Sequence, residues 1–135
     1  MKQRSMSEAK IGEIFPSVSY RLDPQAVKEY INFISAKRPV SSSSPYVPPS
    51  MLAYYALWIA SSHFGFETKG ALFAGMDLQF EGLASNGDTI TVKDCRVEDV
   101  FISDGKRYVV FASTSMNEQN RVLCRSKITV VFKAT

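Results

Sequence analysis

Hydrophobic positions change their spacing along this chain, and each change marks an element. Val18, Tyr20 and Leu22 alternate with polar residues, the period of a strand with one covered face. Asp23-Pro24 then supplies a helix start, with an Asp at the N-cap and a Pro at the first helical position. Ala26, Val27, Tyr30, Ile31, Phe33 and Ile34 follow at helical spacing, which predicts an amphipathic helix over 24–36, ended by Pro39. Residues 38–50 are rich in Ser and Pro and read as a surface connection. From Met51 to Phe64 the chain is apolar on nearly every face and carries no charge. A helix of that kind must be buried. Pro49 and Ser50 begin it and Gly65 stops it, giving a helix over 50–64. Ala53, Ala56 and Ala60 place small side chains on one of its sides.

Beyond Gly70 the alternation of strands returns. Residues 72–83, 89–102, 108–116 and 121–132 read as four long strands. Turns at Ser85-Asn-Gly-Asp88, Ser103-Asp-Gly-Lys106 and Asn117-Glu-Gln-Asn120 separate them, the second being a strong hairpin signal. The order of elements predicts an α+β fold, an antiparallel sheet with one face covered by the apolar helix. Residues 1–12 are charged and lack periodicity. They are expected to fray, so a flexible N-terminus over 1–13 precedes a single domain over 14–135. An open sheet leaves an edge, and the strand over 73–83 is the candidate edge for pairing with another chain.

Composition narrows the function. With 135 residues, 45% hydrophobic and 21% charged, the chain is long enough for a real core and too apolar for disorder. Cys95 and Cys124 are too few for a disulfide scaffold and lack metal-site spacing, and both read as small buried hydrophobes. His63 is the one imidazole, so no metal centre is expected. The net charge of +3 is scattered, which predicts no nucleic-acid partner. There is no apolar leader and no stretch of spanning length, so a cytoplasmic protein without a membrane partner is expected.

The residues able to do chemistry are few. His63 can serve as an acid or base, or simply sit at a helix C-terminus where the dipole favours it. Asp77 and Glu81 share one face of a strand with Gln79, as an acid–base pair or as a solvated or interface-facing edge. Ser50 and Met51 open the apolar helix, where backbone N–H groups at a positive helix end can polarise a carbonyl; capping by Ser50 is the alternative. Tyr46, Tyr54, Tyr55 and Trp58 can line an apolar channel or fill a core. Arg96, Lys106, Arg107, Arg121 and Arg125 can meet phosphates or form a solvated face.

Three segments carry a resemblance. Leu72-Phe-Ala-Gly-Met-Asp-Leu-Gln-Phe-Glu-Gly-Leu-Ala-Ser-Asn-Gly-Asp88-Thr-Ile-Thr-Val92, Val47-Pro-Pro-Ser-Met-Leu52 and Tyr20-Arg-Leu-Asp-Pro-Gln-Ala-Val-Lys-Glu-Tyr30 stand in the order and spacing of the MaoC-like (R)-specific hydratases and dehydratases. The chain most resembles the N-terminal half of double-hot-dog dehydratases. The resemblance covers roughly 14–133. It implies a hot-dog fold, a sheet wrapped round a central helix. It also implies an acyl-thioester ligand near Tyr46, Pro49, Ser50, Met51 and Gly75. Coenzyme A or phosphopantetheine enters only as part of that substrate, with no separate cofactor. A homodimer, or a heterodimer with a second hot-dog subunit, is implied as well. Active members carry an Asp, then Asn-Pro, then a His in the loop after the first helix. Here that loop is Ala36-Lys-Arg-Pro-Val-Ser-Ser-Ser-Ser44, without Asp, Asn or His. Arg38 stays charged and cannot move a proton, so the family's hydratase chemistry does not carry over at these positions. Three functions compete: a substrate-binding or partner subunit, an active hydratase or dehydratase with acid–base groups relocated to His63, Asp77 or Glu81, and a non-enzymatic acyl-ligand binder. A thioesterase is disfavoured, because the central helix has no acid.

Overall fold

The structure, a computed structural model, describes residues 5, 8–34, 46–62 and 70–133, with the side chains of residues 34 and 57–62 outside the description. The elements are β1 (Val18–Arg21), α1 (Pro24–Ile34), α2 (Pro49–Ser62), β2 (Leu72–Phe80), β3 (Thr89–Ser103), β4 (Lys106–Met116) and β5 (Val122–Lys133). The expected α+β architecture is present, with five strands in one antiparallel sheet of order β1-β3-β4-β5-β2.

Local chemistry places the turns. Asp104 and Gly105 both have positive φ, 51° and 72°, between the paired residues Ser103 and Lys106. That conformation matches the right-handed twist of the flanking strands, and Gly accepts it without steric cost. Asp23 starts α1 as expected, its carboxylate accepting from the Gln25 N–H at 3.0 Å. A second turn is closed by the Asp88 carboxylate, which accepts from the Ser85 N–H at 2.8 Å.

One face of the sheet packs on the helices and forms two core clusters. Val92, Cys95, Val97, Val109, Phe111 and Ile128 enclose Ala56 of α2. Leu22, Val27, Ile31, Ile90, Leu123 and Cys124 enclose Met51 and Leu52 at the start of α2. Ala53 and Ala56 are buried, as the small side of the helix requires. The helix is not covered all round within one chain, however: Tyr54 is 59% exposed. Its apolar sequence therefore overstates its burial in a lone subunit.

The N-terminal segment departs from expectation over its described part. Residues 12–15 continue the antiparallel pairing along β3: Gly12 N–H donates to the Val97 carbonyl at 2.9 Å, Val97 N–H to Glu13 at 2.9 Å, and Phe15 N–H to Cys95 at 2.8 Å. Ala9 is buried and its carbonyl accepts from the Arg107 guanidinium at 3.0 Å. Tertiary hydrogen bonds hold a stretch that has no periodicity of its own. They also cover the side of β3 away from β4. Among the described residues, β2 is then the long open edge of the sheet, and it carries Leu72 at 70% and Phe73 at 53% exposure.

Candidate functional site

The start of α2 is held from two sides. Val47 N–H donates to the Ala84 carbonyl at 2.7 Å and Tyr46 bridges Ser85, so the chain entering the helix lies antiparallel to the connection between β2 and β3. From the other side, the Tyr30 hydroxyl of α1 meets Ser50 Oγ at 2.6 Å. Met51 and Leu52 anchor the turn in the core, while Tyr46 and Ser50 stay exposed.

Ser50 does not cap the helix through its side chain. The helix begins at Pro49, so the N-cap is Pro48, and Ser50 lies within the first turn. Its hydroxyl is engaged with Tyr30 rather than with the helix backbone. Pro48 and Pro49 have no N–H to offer. Met51 N–H donates to the Pro48 carbonyl at 3.0 Å. The Ser50 amide has no acceptor among the described residues and lies in the first turn, at the positive end of a helix of 14 residues. A carbonyl oxygen arriving there would meet a donor already oriented toward it.

The acid candidates lie elsewhere. Met76 and Leu78 point into the core clusters. Asp77 and Gln79, alternating with them, therefore lie on the opposite face of the sheet from α2. Asp77 lines an open cavity of about 230 Å³ there with Gln79, Arg96, Arg125 and Lys127. Glu81 follows the end of β2 and is paired with Arg125 at 2.5 Å. Glu98 is flanked by Lys127 at 3.1 Å and Arg96 at 3.2 Å, and these cations hold its carboxyl below the usual range, Lys127 chiefly. Glu81 and Glu98 thus belong to ion pairs with Arg96, Arg125 and Lys127, and Asp77 lines the cavity beside those cations. His63 lies outside the described residues.

Other expected residues separate as well. Gly75 sits in β2 opposite Thr129, beside a register shift, and a Cβ there would meet nothing within 4 Å. The helix start is level instead with Cys124, whose partner in β2 is Phe80. Tyr54 meets Tyr55 edge-on, with ring centroids 5.7 Å apart, and Trp58 lies in the part of α2 whose side chains are outside the description. Arg96 and Arg125 are engaged with carboxylates, and Arg107 with the Ala9 carbonyl. Burial pushes the thiols of Cys95 and Cys124 up to about 11, so both stay protonated and act as core residues. Two tyrosines that sequence reasoning did not single out belong to the site: Tyr30, through Ser50, and Tyr20, whose ring stacks on Tyr55 with centroids 4.2 Å apart. Their only signal was aromatic character at periodic positions.

No known family's sequence profile matches the chain, and no curated protein matches it. Solved structures do. A MaoC-like dehydratase from Rhodospirillum rubrum is similar with a TM-score of 0.72 at 17% identity, over 97% of each chain. The (R)-hydratase from A. caviae involved in PHA biosynthesis is similar with a TM-score of 0.69 at 16% identity, over 94% of this chain and 100% of that one. The chain has the hot-dog fold. A ChsH1–ChsH2 complex from Mycobacterium tuberculosis is similar with a TM-score of 0.70 at 12% identity, over 92% of this chain and 98% of that one. In this hot-dog chain α2 is the central helix, with Tyr46 and Ser50 exposed at its start and β2 at the edge of the sheet. Among the described residues there is no cluster able to hold a metal ion, and no helix is long and apolar enough to cross a membrane.

Proposed function

We propose that this chain is an acyl-thioester-binding hot-dog subunit of the MaoC-like hydratase and dehydratase type, without its own acid–base pair, completed by a second hot-dog chain. The observation that carries the reading is a conjunction. The fold matches a MaoC-like dehydratase over 97% of both chains, while residues 36–44 contain no Asp, Asn or His. The thioester carbonyl would accept from the Ser50 amide at the positive end of α2. The acyl chain would pass along the tyrosines beside it. Coenzyme A or phosphopantetheine would carry the acyl group as part of the ligand.

The partner chain follows from the open edge. A strand of nine residues with unpaired backbone groups and exposed apolar side chains is a template for another strand. Its exposed stretch from Leu72 to Ala74 carries neither charge nor Pro to blunt pairing. The ChsH1–ChsH2 complex among the similar structures supports a partner of the same fold. Light scattering at micromolar concentration is expected to give about twice the 15.1 kDa chain mass, or assembly on adding the partner. A 15.1 kDa species under both conditions would remove the partner from the proposal. Butyryl-coenzyme A is expected to raise the melting temperature by mass action without being turned over. No shift at saturating ligand would sink the binding role.

A further inference from the structure

Among the described residues, one phenol is not explained by its own packing. Tyr20 lies on the inner face of β1 and packs against both core clusters, including the one formed by Met51, Leu52 and Cys124 at the start of α2. Stacking on Tyr55 at 4.2 Å and 20° fixes its ring under the helix. Its hydroxyl is buried and has no hydrogen-bond partner among the described residues. The contrast with Tyr30 is direct, since that hydroxyl is satisfied by Ser50 at 2.6 Å.

We infer that Tyr20 is a specificity-determining residue of the acyl-thioester site, its hydroxyl kept to donate a hydrogen bond to an oxygen borne on the acyl chain. The inference rests on the acyl-thioester role proposed above. A buried donor without an acceptor is unfavourable, and a Phe ring would fill the same slot without that cost. Water or an internal acceptor would normally remove the cost. Among the described residues, the cluster it packs against is made of aliphatic and aromatic side chains and the Cys124 thiol, which itself points its hydrogen toward the Arg125 carbonyl at 3.7 Å. Methylene groups cannot accept a hydrogen bond, so a plain saturated chain would leave the hydroxyl orphaned and an oxygenated chain would not. Burial holds the phenol well above its usual pKa, so it remains a neutral donor.

The test compares the wild-type chain with Tyr20→Phe in its native assembly, using calorimetric titration with 3-hydroxyoctanoyl-coenzyme A and octanoyl-coenzyme A. Removing the hydroxyl is expected to leave the melting temperature of the free protein unchanged or raised. Affinity for the hydroxylated ligand should fall about tenfold, and affinity for the saturated one should move less than about twofold. Tyr108→Phe, in β4, should change neither. A lowered melting temperature for Tyr20→Phe would show an internal partner and overturn the inference. So would an equal loss for both ligands, or no loss. If the wild-type chain binds neither ligand, the acyl-thioester role falls and this assignment with it; binding with unaltered discrimination in Tyr20→Phe removes the assignment alone.

Discussion

The isolated chain is expected to hydrate a short enoyl thioester at least about 10²-fold more slowly than a relative that keeps the Asp, Asn-Pro and His. Water addition across an enoyl thioester needs one group to take a proton from water and another to deliver one to carbon. Positioned acid–base groups contribute about 10²–10⁴-fold each, and residues 36–44 supply neither. The Ser50 amide can polarise the carbonyl, which stabilises charge but moves no proton. Asp77 and Glu81 cannot stand in from where they are. They are on or beyond the strand at the face away from α2, and Glu81 is committed to Arg125. Loss of the crotonyl-thioester absorbance is the measurement, run on both proteins side by side. Turnover within about tenfold of the relative would place the acid–base groups elsewhere in this chain. His63→Ala would then be the first variant to make, and Asp77→Asn and Glu81→Gln the controls.

Leu52→Ala should destabilise the fold by about 2–5 kcal/mol, a large share of the roughly 5–15 kcal/mol that holds a domain of this size. Leu52 is 1% exposed, at the point where α2 first meets the sheet. It shares a cluster with Leu22, Ile31, Leu123 and Cys124. The residues around it come from β1, α1, β3 and β5, each anchored by its own pairing, so the cavity cannot collapse cheaply. Ile11→Ala, at a side chain 62% exposed, should change stability by less than about 0.5 kcal/mol. Urea midpoints at constant slope separate the two. Equal midpoints for both variants would mean that α2 is not seated as described. Because α2 carries the Ser50 amide, Leu52→Ala should also weaken acyl-coenzyme A binding before the protein unfolds.

Strands, turns and helices were legible because their signals are local. Alternation at Val18, Tyr20 and Leu22 marked β1, Asp104-Gly105 marked the hairpin between β3 and β4, and Asp23-Pro24 marked the start of α1. Each depends on backbone sterics or on side chains within a few residues of one another. The described part of the N-terminal segment, residues 9–15, has no such local signal. Its order comes from bonds to Val97, Cys95 and Arg107, eighty or more positions away along the chain, and no local pattern encodes those.

The site divides along the same line. That a chargeless apolar helix begins at Pro49 and must find cover is a property of the sequence, since apolar surface leaves water wherever the chain allows. Which partner the Ser50 hydroxyl takes was decided by the tertiary structure, which brings the Tyr30 hydroxyl of α1 to it at 2.6 Å. Alternation alone put Asp77 and Gln79 on one face of a strand. Only the packing of Met76 and Leu78 against the core determined that this face looks away from the helix. The orphaned hydroxyl of Tyr20 has no sequence signal at all, because satisfaction of a buried polar group is a matter of distance and direction between elements, and those exist only once the sheet has curved round α2.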